Sequence, residues 1–114
     1  MKHLHKDDRE LWKYLEKRAL DLADFFSLSL RRFSVLDPRA EYSGICYDDH
    51  HIKVQLRTTT RNRKAYEIID TLAHELAHLR HLNHSPEWHL IYVRLVVALA
   101  PDYAWVRRYR KRKG

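Results

Sequence analysis

Apolar positions along this chain switch from helical to strand spacing and back, and each switch marks an element. Leu11, Leu15, Ala19, Leu22 and Phe26 recur at three- and four-residue steps, which predicts an amphipathic helix capped by Asp7 or Asp8. The spacing then becomes strand-like. Leu30–Leu36 and Tyr42–Tyr47 are short strand candidates, with Gly44 expected to mark a bulge. Between His51 and Arg57 the alternation is strict, with Ile52, Val54 and Leu56 set against His51, Lys53, Gln55 and Arg57. That is a half-buried strand, entered through a hairpin turn at Asp48-Asp49-His50.

After a polar connection the helical period returns. Ala65, Ile69, Leu72, Leu76 and Leu79, with Ile68 at the margin, predict a helix from about Ala65 to Leu82, stopped by a left-handed Asn83. Ser85-Pro86-Glu87 reads as N-cap, first-position proline and first-turn acid. It opens a helix with the apolar face Trp88, Ile91, Tyr92, Leu95, Val96 and Leu99, which Pro101 ends. The order is helix, a sheet of about three strands, a second helix and a following C-terminal helix. This is an α+β domain over residues 1–106 with a basic tail at 107–114.

The polar side of the second helix carries the chemistry. His74 and His78 stand four residues apart, so they lie a turn apart on one face and can bind one metal ion. At 100° per residue they fall roughly 150° from the centre of the apolar stripe, turned away from the core. Glu75 beside them is a candidate general base. His84 follows where a chain leaving the helix can swing back, and it is the favoured third ligand. Glu87 is a weaker competitor. His81 shares the face, but its Cα lies about 10 Å along the axis from that of His74, which points to a supporting or substrate-facing place. Three protein ligands with an open fourth position are the pattern of catalytic zinc. Zinc acidifies its water and polarises a carbonyl, and Glu75 would move the proton. Tyr92, Tyr103 and Arg94 are candidates for stabilising the oxyanion. If the His51–Arg57 strand lies at an edge, it is placed to pair with an extended peptide.

Composition narrows the setting. With 114 residues, 45% hydrophobic and 32% charged, the chain is long enough for one modest core and too apolar for disorder. The single cysteine, Cys46, excludes an internal disulfide framework and is expected to be a buried apolar thiol. The first ten residues lack the apolar core of a secretory leader, and no apolar run is long enough to cross a bilayer. A cytoplasmic location and no membrane partner are therefore expected. Of the net charge of +7, six come from Arg107, Arg108, Arg110, Lys111, Arg112 and Lys113. With Trp105 and Tyr109 interleaved, Arg107 to Lys113 is a candidate nucleic-acid contact.

The run His74-Glu75-Leu76-Ala77-His78-Leu79, then Asn83-His84-Ser85-Pro86-Glu87-Trp88, then Pro101-Asp102-Tyr103, resembles the YgjP-like and SprT-like compact zinc metallopeptidases. The resemblance covers about residues 45 to 105. It implies one zinc ion held by His74, His78 and His84, a catalytic Glu75, and a protein substrate. SprT-like proteases are associated with cleavage of DNA-bound proteins, which would give the basic tail a use. One departure is Trp88-His89, where the family more often has an aromatic pair. Metzincins, which need a glycine where His81 stands and a downstream methionine turn, do not fit, since the only methionine is Met1. Zinc endoribonucleases with the same histidine spacing usually have glycine at the position of Glu75. Two other readings stand beside the peptidase: such a ribonuclease, and a non-enzymatic zinc-organised module that binds nucleic acid.

Overall fold

Leu11, Leu15 and Ala19 are fully enclosed, and they fix how the first helix sits. The computed structural model describes residues 2–113. After a single 3-10 turn, α1 (Arg9–Phe25) is followed by β1 (Arg32–Val35), β2 (Gly44–Cys46) and β3 (His51–Val54). Three helices complete the chain: α2 (Ala65–His78), α3 (Pro86–Ala98) and α4 (Ala100–Lys113). The fold is α+β, a mixed sheet with helices gathered on it, as the spacing of apolar residues predicts. No single helix among the described residues is long and apolar enough to cross a membrane.

The sheet order is β1-β3-β2, with β3 parallel to β1 and antiparallel to β2. Ile52, Val54 and Leu56 are wholly buried, which is what their alternation demands. The hairpin before β3 closes with His50 at φ 66°, its N–H donating to the Tyr47 carbonyl at 3.1 Å. Because β3 is the middle strand, it cannot offer an edge to a substrate. β2 is an edge strand, and α2 packs against it.

α2 is buried against sheet, α1, α3 and α4, with Ile68, Leu72, Ala73, Leu76 and Ala77 fully enclosed. Its start is fixed by Glu67, which accepts the Lys64 N–H at 2.8 Å and is held by Arg61 at 2.8 Å. α3 begins as expected, with the Ser85 hydroxyl accepting the Trp88 N–H at 3.2 Å and Pro86 in the first turn. The chain then bends by 57° at Leu99 into α4, where Pro101 sits in the first turn and needs no hydrogen-bond partner for its nitrogen.

Residues 107–113 differ from the expected tail. They continue α4, and Val106 and Tyr109 are buried in the core. Apolar residues in that segment are too few for its helix to stand out from the charges around them. What docks it is polar. The Asp8 carboxylate, 1% exposed, accepts from Arg57 at 2.8 Å and from Arg110 at 2.7 Å. Arg110 also donates to the Leu56 and Arg63 carbonyls, and the Tyr109 hydroxyl donates to the Asp7 carbonyl. Asp8 stands at the N-cap position of α1 but makes no side-chain cap bond, because both its oxygens are engaged by these guanidiniums. A second buried carboxylate, Asp102, joins α4 to α1 through Tyr14 at 2.6 Å and Arg18 at 2.7 Å.

Burial alone would raise the pKa of Asp8, but the hydrogen bonds from Arg57 and Arg110 outweigh it and hold the carboxyl below its usual range. A depressed folded pKa contributes stability above the unfolded value and loses it as pH falls through the folded one. Asp8→Ala should therefore destabilise the chain by about 3 kcal/mol at pH 7, since it leaves two partly buried guanidiniums unpaired. The gap between variant and wild type should narrow below about pH 4. Urea denaturation at pH 7 and pH 3 measures both; an undiminished gap at pH 3 contradicts the ion-pair account.

Candidate metal centre

α2 ends sooner than its apolar stripe suggests, and the early end builds the site. The helix stops at His78, with Leu79 as its cap and the Leu79 N–H turned onto the Leu76 carbonyl at 3.1 Å. The Arg80 guanidinium donates to the Phe26 and Ser27 carbonyls at 2.6 and 2.9 Å, tying this turn to the end of α1. Asn83 is not left-handed; among the described non-glycine residues only Ser27 and His50 have positive φ. The short loop from Leu79 to Ser85 carries His84 back over the helix it has just left.

His74, His78 and His84 converge there. Their ring centroids form a triangle with sides of 4.8 Å. His84 Nε2 lies 3.0 Å from His74 Nε2 and 3.1 Å from His78 Nε2. Three nitrogens at about 2.0–2.1 Å from one tetrahedral ion would stand roughly 3.3 Å apart, so the arrangement fits such a donor set. The second nitrogen of His78 is engaged: Nδ1 lies 3.0 Å from the His81 carbonyl, and donating there leaves the Nε2 lone pair free. Burial, and then His78 and His84, hold His74 below its usual pKa, which keeps it neutral and able to donate its lone pair.

His81 thus takes part through its backbone carbonyl, and its imidazole lies outside the cluster. Glu87 is also outside. It is exposed at the start of α3, where its own N–H and Ser85 hold its carboxyl below the usual range.

Glu75 lies beside the cluster and is 8% exposed. Burial pushes its carboxyl up to about 7, and the field of a bound cation would favour the charged form again. Gly44 explains how the carboxylate is reached from the sheet. A Cβ on Gly44 would lie 2.5 Å from Thr71 Cγ2 and 3.0 Å from Glu75 Cγ. This glycine marks the close approach of β2 to α2, and no bulge interrupts the register of Gly44, Ile45 and Cys46 against Val54, Lys53 and Ile52. Cys46, on the same strand, is half-buried. Burial first, then the charge of Glu75, push its thiol up to about 11, so it stays protonated at neutral pH.

Trp88, which helical spacing puts on the apolar face of α3 and the family resemblance puts beside the site, is a wall of the cluster. Its ring lies 4.8, 5.4 and 4.6 Å from those of His74, His78 and His84. Tyr92 stacks on it at 5.0 Å and supplies the second aromatic ring that His89 does not. Tyr92 is close to the cluster, 6.3 Å from His74 between ring centroids, but its hydroxyl donates to Asp70. Tyr103 instead lines an apolar cavity of about 450 Å³ with Tyr66, Ile69 and Leu99, and Arg94 is exposed on α3.

Two imidazoles from α2 and one from the loop after it thus cluster beside a buried carboxylate and an edge strand in a compact α+β fold, a donor set that could hold a metal ion. The family follows from the sequence: the profile described as "YgjP-like, metallopeptidase domain" matches residues 4–112, and the chain belongs to that family. The match extends well beyond the motif, through α1 and nearly to the end of α4. The fold is similar to the crystal structure of a Wss1 mutant from S. pombe, with a TM-score of 0.65 over 85% of this chain and 89% of that chain at 22% identity. At that identity the likeness is one of fold. No curated protein sequence matches the chain.

Gly44→Ala should cost about 1–3 kcal/mol of stability, as overpacking at a fixed contact does. Adding Thr71→Ser, which removes the methyl nearest the new Cβ, should restore part of the loss. Urea midpoints of the two variants test this; no loss in Gly44→Ala would mean that β2 gives way freely.

Proposed function

We propose that the chain is a zinc-dependent metalloendopeptidase in which His74, His78 and His84 hold one zinc ion and Glu75 is the general base. The observation that carries this reading is the convergence of three Nε2 atoms, two separations being 3.0 and 3.1 Å, beside a nearly buried carboxylate. Membership of a metallopeptidase family supports the reaction class and a metal. Zinc, when bound to such a set, supplies an acidified water and a polarised substrate carbonyl. Glu75 takes the proton of the attacking water and returns it to the leaving amine. Gly44 on β2 lies close against the Glu75 side chain, so close that a Cβ there would stand 3.2 Å from a carboxylate oxygen, and the sheet leaves the carboxylate little room on that side.

The edge strand β2 is the surface on which an extended peptide would lie. Ser43 and Tyr47 spend their backbone groups on β3, through Gln55 N–H to Ser43 O and Tyr47 N–H to His51 O, each 2.8 Å. By the alternation of an antiparallel ladder, the N–H and C=O of Gly44 and Cys46 point to the open edge. A peptide paired there has its backbone beside Glu75.

A basic surface supports action on proteins associated with nucleic acid. Arg110 is occupied inside the fold, but Arg107, Arg108, Lys111, Arg112 and Lys113 are exposed on α4 and pair with no carboxylate among the described residues. Removing residues 107–114 would also remove buried Tyr109, so surface charge is the better probe. Arg108→Glu with Lys111→Glu should leave folding intact and lower both the affinity for single-stranded DNA and its salt dependence. Binding titrations at 50 and 200 mM salt decide this; unchanged affinity excludes α4 as the contact.

Glu75→Gln should keep the metal and lose peptide hydrolysis by about 100-fold or more. His84→Ala should lose most of the bound zinc, from about one ion per chain. Elemental analysis and cleavage of an unfolded protein substrate measure both. Zinc in wild type with no cleavage of any peptide, and unfolding on chelation, would make the centre structural. Cleavage of RNA that survives Glu75→Gln would make the chain a nuclease.

A further inference from the structure

Trp88 touches all three histidine rings at once. We infer that Trp88, clamped by Tyr92 and Asp70, is a positioning residue that sets the three imidazoles for metal before the metal arrives. The inference rests on the three-histidine reading of the centre.

His84 Nε2 lies 3.0 and 3.1 Å from the Nε2 atoms of His74 and His78, and once all three lone pairs face a metal these nitrogens can share no proton, so something else must hold the rings together. Backbone geometry does this for His74 and His78, which share a helix. His84 is exposed and sits on a loop, and its ring meets Trp88 edge to face at 4.6 Å and 77°. His74 meets the same indole at 4.8 Å and 69°. The indole is therefore a common floor joining the loop histidine to the helical pair.

The size of the ring is what this role uses. The Trp88 indole N–H is buried and has no acceptor among the described residues, a cost that phenylalanine would not bear. An indole presents two fused rings where a phenyl presents one, and its centroid lies 4.6–5.4 Å from those of all three imidazoles. With no hydrogen bond to orient it, Trp88 is kept in place by packing. Tyr92, four residues on, stacks on it with planes only 6° apart. The Tyr92 hydroxyl donates to Asp70, which lies one turn before His74 on α2. The chain of contacts closes on itself: Asp70 on α2 holds Tyr92 on α3, Tyr92 holds Trp88, and Trp88 holds the ligands that α2 and the loop present.

Zinc affinity of the full-length chain, measured by competition with a chromophoric chelator, tests the clamp without reference to catalysis. Trp88→Phe and Asp70→Ala should each weaken zinc binding about tenfold or more, as loss of groups that orient metal ligands does. Asp70→Asn keeps an oxygen that accepts the Tyr92 hydroxyl proton and should bind zinc like wild type. Ile91→Val, a buried change on α3, should lower the urea midpoint and leave zinc affinity alone. Cobalt(II) should quench part of the tryptophan emission in wild type, and Trp88→Phe should remove that part while Trp12 and Trp105 still emit.

Wild-type affinity in a folded Trp88→Phe overturns the proposal and leaves the three-histidine reading intact. Should Trp88→Phe fail to fold, the Asp70 pair decides: equal affinities in Asp70→Ala and Asp70→Asn overturn the clamp. A wild type that takes up no zinc overturns the centre and the clamp together, and that titration is read before any variant is made.

Discussion

Holding the Nε2 atom of His84 3.0 and 3.1 Å from those of His74 and His78 requires the three rings to be placed by what surrounds them, and much of this small fold bears on that cluster. Two of the rings come at no conformational expense, since a helix places its fourth neighbour on the same face. The third demands that the helix stop at once after His78 and that the chain turn back. Arg80 anchoring the turn to α1, and His78 bonding the His81 carbonyl, are the devices that hold the reversal. A helix running on to Leu82 would have carried His84 away from the pair.

Two close packings then press on the site from opposite sides. On the sheet side, the bare Cα of Gly44 lets β2 lie against Thr71 and Glu75, so an edge strand and a carboxylate come together. On the other side, the aromatic layer of Trp88 and Tyr92 backs the imidazoles. One packing uses the smallest residue and the other the largest. Both leave the clustered side chains few alternative positions, which is how a site gains affinity and precision.

The cations of α4 divide by burial. Arg110 is engaged by Asp8 and by two backbone carbonyls, where it ties the last helix to the first and to the connection between β3 and α2. Its exposed neighbours carry the charge that faces solvent. The segment is therefore structural on one side and electrostatic on the other, and its inner half is part of the domain.

Periodicity alone determined α1, the cores of α2 and α3, the buried face of β3 and the α+β class, because burial of one face imposes its own spacing on the chain. The His-Glu-x-x-His spacing likewise placed His74, His78 and Glu75, since helix geometry is local. His84 was legible through its place in the run Asn83-His84-Ser85-Pro86. What the tertiary structure decided lies in contacts between distant residues. The edge position of β2 depends on which strand pairs with which, and alternation within β3 says nothing about its neighbours. Gly44 looked like a bulge because a missing side chain does not announce what fills its space. Trp88 could be set beside the site only through the family resemblance, because an apolar spacing cannot tell a ring packed on leucine from one packed on three histidines. The basic segment looked like a tail because one buried tyrosine and one paired arginine leave almost no trace in its composition, and only Asp8, a hundred residues away in sequence, gives them their place.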